Sequence, residues 1–337
     1  LIPLPQIEDK MNFKLLKKLY SIHSHSGSEK HITSFISKWI TNNVPGAIVE
    51  LDARTGNLYI VKGQAETYPC IVAHLDQVQK LHPNDFVAIE TNDIIFGYSA
   101  QKRSLCGLGA DDKNGIWIAL MCLQKFDTLK IAFFVQEEIG CKGSSNALME
   151  FFDNCRFVIE PDRRGNSDLI TDISGSICSD EFIDAIQPVK YGYKPTSGMM
   201  TDVEQLKENG LEISCINLSC GYYDPHTDHE FTVKKDLLKC LNFIEHIITD
   251  IKTPFPHEPE FTYYGRGCSL GWWDEYDTLY ECCEHMLTLD PTATPSDIYD
   301  AWHSTFPHMT KDDFAMVYDD CLYEIESEKF KKKDETD

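Results

Sequence analysis

CIVAHLDQV, residues 70–78, is an apolar run that stops on a histidine and then a carboxylate. Cys70-Ile71-Val72-Ala73 reads as a strand without polar alternation, the pattern of a strand covered on both faces. A single His-x-Asp at a strand end is ordinary turn chemistry, so its meaning depends on recurrence. LKIAFFV (129–135) runs into Gln136-Glu137-Glu138, and RFVIE (156–160) runs into Pro161-Asp162. ISCINLS (213–219) passes through a Gly-Tyr-Tyr-Asp-Pro turn to His226. GADDKNG puts Asp111 just before GIWIALMCLQKF (115–126), which is apolar nearly all round and reads as a buried helix. In open α/β sheets the carboxyl ends of the strands form the ligand edge. Five such motifs therefore predict one site.

Outward from these strands, the spacing of Leu15, Leu16, Leu19 and Tyr20, then of Ile32, Phe35, Ile36 and Ile40, predicts a helix pair or one broken helix over 11–42. IVELDAR, NLYIV and the pair FVAIE and IIFGY read as short strands, the last two as a hairpin around Thr91-Asn92-Asp93. EQLKENG (204–210) reads as a helix with a Gly cap, and VKKDLLKCLNFIEHIITDI (233–251) as an amphipathic helix. The expected fold class is α/β, with a mixed, largely parallel central sheet flanked by helices and a small all-helical C-terminal appendage. The expected boundaries are a catalytic domain at 11–252, a Pro- and Gly-marked connector at 253–270 and a helical module at 271–330. In that module 272–287, 296–303 and 310–327 read as helices, with Thr310-Lys311-Asp312-Asp313 as a capping signal. Trp272-Trp273 reads as an anchor for the module.

Composition narrows the partners. With 337 residues at 42% hydrophobic there is ample material for one large core. A net charge of −23 argues against nucleic acid, which needs clustered cations. No run approaches the roughly 18 apolar residues of a membrane span, and the first residues lack the apolar stretch of a secretory leader. Thirteen cysteines sit mostly in apolar runs, without a Cys-x-x-Cys ladder, which points to a reducing compartment and the cytoplasm.

The residue types of the five motifs suit a metal pair. His74, Asp111, Glu138, Asp162 and His226 offer two imidazoles and three carboxylates, the donors of borderline divalent ions. One carboxylate must bridge, and Asp111 is central in the order. Asp76 is placed to steady the His74 ring, and Glu137, beside a ligand, is placed to take a proton from an activated water. Tyr222 and Tyr223 are candidate oxyanion donors, with ordinary turn aromatics as the plainer reading. His229 competes with His226 as the last ligand. His23 and His25 read as solvated turn histidines, Asp112 as an outward or hydrogen-bonding neighbour, and Lys113 as a helix-start residue that packs or pairs near the site. Cys141 has no local base to make it a nucleophile.

HLD, GADDKNG, QEEIG and the final NLSCGYYDPHTDHEF resemble the co-catalytic zinc exopeptidases, above all peptidase T and its relatives and then the compact di-zinc aminopeptidases. The resemblance spans about residues 13–250 and includes Thr201-Asp202. It implies that His74 and Asp162 bind one zinc, Glu138 and His226 the other, with Asp111 bridging and Glu137 as base and acid. The cofactor implied is two divalent ions, zinc first, with cobalt or manganese as alternatives. The substrate implied is a short peptide, cut by an aminopeptidase; a deacylase, a carboxypeptidase or a non-catalytic binding protein on the same fold are the alternatives. The family's lid and dimerisation domains have no room here, which leaves self-association to the C-terminal helices.

Overall fold

The computed structural model describes residues 13–173 and 175–258 and, further on, parts of 279–322. The chain divides into two units, Leu1–Glu260 and Phe261–Asp337.

In the first unit, α1 (Lys14–Tyr20) and α2 (Lys30–Asn43) lead into β1 (Ala47–Leu51), β2 (Leu58–Lys62) and β3 (Tyr68–His74). A hairpin of β4 (Phe86–Glu90) and β5 (Ile94–Ser99), with β6 (Ser104–Leu105), precedes α3 (Ala110–Lys125) and β7 (Leu129–Phe134). Then come α4 (Lys142–Ser145), β8 (Cys155–Arg163), β9 (Asp168–Asp172), α5 (Asp180–Ile186), β10 (Lys194–Ser197) and α6 (Asp202–Glu208). β11 (Cys215–Ser219), β12 (Tyr222–Tyr223), β13 (Phe231–Val233) and α7 (Lys234–Asp250) complete it.

Eight strands form the central sheet in the order β1-β2-β7-β3-β8-β11-β9-β10. Its middle, β7-β3-β8-β11, is parallel. β1-β2, β2-β7 and β11-β9 pair antiparallel, which makes the sheet mixed. Every residue of β3 and β7 is buried, for a physical reason legible in the layers. Ile71 and Ala73 pack on one face with α3 and α7 residues such as Trp117 and Phe243, while Cys70 and Val72 pack on the other with Val203 and Leu206 of α6. A strand sandwiched between helix layers has no polar face to alternate with. The α7 stripe Leu237, Leu241, Ile244 and Ile248 closes one side; each such burial contributes about 1.5–3 kcal/mol.

The hairpin does not stand alone. β12-β13-β5-β4 make a second, antiparallel sheet, with β6 paired to β5. The three-residue β13 follows His226 and brings the end of the chain's site loop back against residues more than a hundred positions earlier. Every described cysteine is buried. Among the described residues, no helix is long and apolar enough to cross a membrane.

In the second unit, the helix Pro295–Trp302 starts with a capping box, Thr294 and Asp297 bonding reciprocally. Thr310 and Asp313 make the same reciprocal bonds at the capping signal. Leu279, Leu287, Ile298, Phe306, Phe314 and Val317 form a separate apolar core. The expected helix over 272–287 and the Trp272-Trp273 anchor lie wholly or largely outside the described residues, as does most of the connector.

Candidate metal centre

Because β7, β3, β8 and β11 are parallel neighbours, their carboxyl ends share one edge. There His74 closes β3, Asp162 lies at the end of β8, Glu137 and Glu138 follow β7, and His226 lies beyond β11. Asp111 enters from the start of α3, whose N-cap, Gly109, takes the left-handed conformation at φ 65° that glycine tolerates best. Gln136 and His226 also take positive φ, 56° and 65°. Such costly backbone is tolerated chiefly where the surroundings fix a functional geometry.

Two donor triads result. His74, Asp111 and Asp162 form one; Asp111, Glu138 and His226 form the other. Asp111 is common to both: its Oδ1 is 2.9 Å from His74 Nε2, and its Oδ2 is 3.4 Å from His226 Nε2. His74 Nε2 is 3.6 Å from Asp162 Oδ1, and His226 Nε2 is 3.1 Å from Glu138 Oε2. Of the two candidates for the last imidazole, His226 is in the cluster. Its side chain is 53% exposed, so the second triad faces the open side.

The electrostatics show an excess of buried negative charge. Burial pulls His226 down, yet Asp111 and Glu138 outweigh it and hold it up to about 11. His74 is likewise raised, burial opposing and Asp162, Asp111 and Asp76 prevailing. Burial, then mutual repulsion among carboxylates, pushes Glu137 and Asp162 well above the usual range. Among the described residues, the buried Glu138 Oε1, Asp112 Oδ2 and Asp202 Oδ2 have no hydrogen-bond partner. Clustered carboxylates and imidazoles with orphaned oxygens suit divalent cations, so the residues fit the metal pair that the resemblance implies. They do not select the ion.

Asp76, fully buried, does more than face the ring. It lies 3.4 Å from His74 Nδ1, a contact short of hydrogen-bond geometry, while its closer partners are the amides of Glu137 (3.0 Å) and Glu138 (3.2 Å) and the Ser26 hydroxyl (2.7 Å). Glu137 sits with Oε2 4.0 Å from His74 Nε2, and Cys141 Sγ donates to its Oε1 over 3.5 Å. Tyr222 OH lies 3.5 Å from Asp162 Oδ1, at the site; Tyr223 OH donates to Asp236 Oδ2 (2.7 Å) and is tied to α7.

Some expectations change. His23 and His25 are not free in solvent: the 23–26 loop docks along 76–79, His23 Nε2 lies 2.6 Å from Gln79 O, and the His23 ring stacks on His82. The pairing joins segments some fifty residues apart, so no local pattern announced it. Of the two readings of Asp112 the hydrogen-bonding one holds: it is fully buried and accepts from the Gly115 amide. Lys113 packs and pairs at the helix start as expected: it is fully buried and donates to Gln77 Oε1, and burial brings it down to about 7. Several supporting contacts were not read. Glu29 accepts from the Gln136 amide, Glu160 from the Asp202 and Val203 amides that start α6, and Ser144 donates to Asp202. Glu230 accepts from the amides of Gly109 and Asp111.

The chain shares its fold with solved aminopeptidases. No protein-family profile matches it, and no curated protein matches its sequence. Solved structures do. An aminopeptidase from the archaeon Desulfurococcus kamchatkensis superposes with a TM-score of 0.58 at 15% identity, over 72% of this chain and 95% of that one. Aminopeptidase PepT from Bacillus cereus gives 0.54 at 15% identity, over 70% of this chain and 96% of that one. The TET peptidase of Pyrococcus horikoshii, which can assemble into a tetrahedron or a large octahedral shell, gives 0.50 at 16% identity, over 69% and 98%. Identities this low establish the fold alone.

Proposed function

We propose that the chain is a di-metal exopeptidase, an aminopeptidase releasing N-terminal residues from short peptides, with zinc as its metal. The observation that carries this reading is the sharing of Asp111, one oxygen toward each imidazole, with the largely covered Glu137 beside the pair. That solved structures with this fold are aminopeptidases supports the reaction class.

His74, Asp162 and Asp111 would hold one ion, and Glu138 and His226, with Asp111, the other. Bound, the ions supply Lewis acidity, polarising the scissile carbonyl and easing deprotonation of water. Glu137 takes the proton of the attacking water and passes it to the leaving amine. Burial first, then the neighbouring carboxylates, raises its proton affinity, the direction that suits an acid–base group. Asp76 fixes Glu137 and Glu138 through their amides, so that base and ligand keep one geometry. Tyr222, whose hydroxyl lies 3.5 Å from Asp162 Oδ1, donates to the developing oxyanion.

The test is mass spectrometry of a short-peptide library incubated with zinc-loaded protein, beside a chelated control and Glu137→Gln. Loss of N-terminal residues that vanishes with chelator and with Glu137→Gln, while the variant keeps both ions, supports the reading. C-terminal trimming moves the assignment to a carboxypeptidase, and cleavage of acylated small molecules alone to a deacylase. No hydrolysis of either removes the enzyme reading in favour of a binding protein. Self-association through the C-terminal helices is tested by solution mass with and without residues 270–337.

A further inference from the structure

We propose that Glu230 is a positioning residue: its carboxylate binds the loop that carries Asp111 to the loop that carries His226, and so sets the triad Asp111–Glu138–His226. The proposal rests on the metal pair proposed above. Glu230 is 1% exposed. Its Oε2 accepts from the Gly109 amide at 2.6 Å and its Oε1 from the Asp111 amide at 3.1 Å. These are amides at the start of α3, which have no partner inside the helix, and no side-chain cap is formed at Gly109. Charge-assisted bonds from a buried carboxylate are stronger than neutral ones and directional, so both ends of the Asp111 backbone turn are fixed from outside the helix.

The chain path makes this a coupling and not only a cap. Glu230 is four residues beyond His226 in the same loop, between the left-handed His226 and β13. A shift of the Asp111 turn is therefore felt at His226, and the reverse. A second fastening holds the same helix start: Asn114 Oδ1 accepts from Tyr20 OH at 2.5 Å and from Thr232 Oγ1 at 3.1 Å, two residues past Glu230. Lys113 ties that start to Gln77, on the loop after His74. His226 is half exposed while His74 is fully buried. The His74 side is thus held by the sheet itself, and the His226 side depends on Glu230.

The experiment measures Zn²⁺ stoichiometry and stepwise affinity by chelator competition, and the absorption of the Co²⁺-loaded protein, for wild type, Glu230→Ala and Glu230→Gln. Thermal denaturation of the metal-free proteins runs alongside. Supporting outcomes are two ions in wild type and, in Glu230→Ala, a second ion bound at least about tenfold more weakly, the scale of lost ligand support. The first ion changes less. Glu230→Gln, which keeps one acceptor oxygen, falls between. If Glu230→Ala does not fold, Glu230→Gln alone decides, by the ratio of its two affinities. Equal loss at both sites, or two ions held as in wild type with an unchanged Co²⁺ spectrum, overturns the proposal. Fewer than two ions in wild type overturns the metal-pair reading instead, which keeps the two failures distinct.

Discussion

Asp76 Oδ1 lies 3.0 Å from the Glu137 amide nitrogen and 3.4 Å from His74 Nδ1, so one buried oxygen fixes the backbone of the proposed base and faces the ring of a proposed ligand. Its second oxygen serves the Glu138 amide and the Ser26 hydroxyl. Asp76→Ala leaves two amides and a hydroxyl without this acceptor, each buried orphan costing about 1–3 kcal/mol. The variant is expected to lose Zn²⁺ affinity by about 10–100-fold and to melt earlier. Chelator competition and thermal denaturation check this; affinity within twofold of wild type would contradict the role.

The strand ends were legible in the sequence because they are local. An apolar run that breaks on His74, on Gln136-Glu137-Glu138 or on Asp162 announces both the strand and its chemical end. The supports were not legible, because their partners are backbone amides. Glu29 meets the Gln136 amide and Glu230 meets that of Asp111, and an amide has no residue identity to pair with. The second sheet was hidden for a related reason. Phe231–Val233 is too short for a pattern, and its partner, β5, comes before the buried helix.

Gly143 closes the turn that presents Glu137 and Glu138. Its amide donates to Val135 O and its carbonyl accepts from Asn57 Nδ2. A Cβ there would sit 2.5 Å from Val135 O and 2.6 Å from Asn57 Oδ1. The carbonyl is part of the β7 exit and cannot yield as a side-chain end can. Gly143→Ala is expected to destabilise the fold by about 1–3 kcal/mol, the cost of overpacking. Chemical denaturation measures it; a midpoint equal to wild type would show that the turn relaxes freely.

The two adjacent tyrosines separate by what their hydroxyls touch. Tyr222→Phe removes a hydroxyl beside Asp162, and is expected to lower kcat by roughly tenfold or more with little change in KM, as for loss of an oxyanion donor. Tyr223→Phe removes the partner of Asp236 and is expected to cost about 1 kcal/mol of stability with kcat nearly intact. Equal effects on kcat would remove Tyr222 from the chemistry.

His82 gives the fold an acid-side weakness. Burial, helped by Lys113 and His23, lowers its pKa from 6.5 to about 4, and its buried Nε2 has no hydrogen-bond partner. The ring packs on Phe86 at 4.0 Å and stacks on His23 at 5.3 Å. As pH falls below about 6.5 the unfolded chain takes a proton that the folded chain refuses until about 4, so the unfolded state binds more protons in that window. The contribution of His82 is therefore full above about 6.5 and is lost progressively down to about 4. Because the ring is only partly buried, solvent screening limits the loss to about 1–2 kcal/mol. His23, lowered by burial as well, acts in the same direction and keeps part of the slope. In His82→Phe, the fall in melting temperature between pH 7 and pH 5 should be shallower than in wild type. Melting curves across that range on the chelated proteins test it, and parallel slopes would show that the ring protonates in the folded state without penalty.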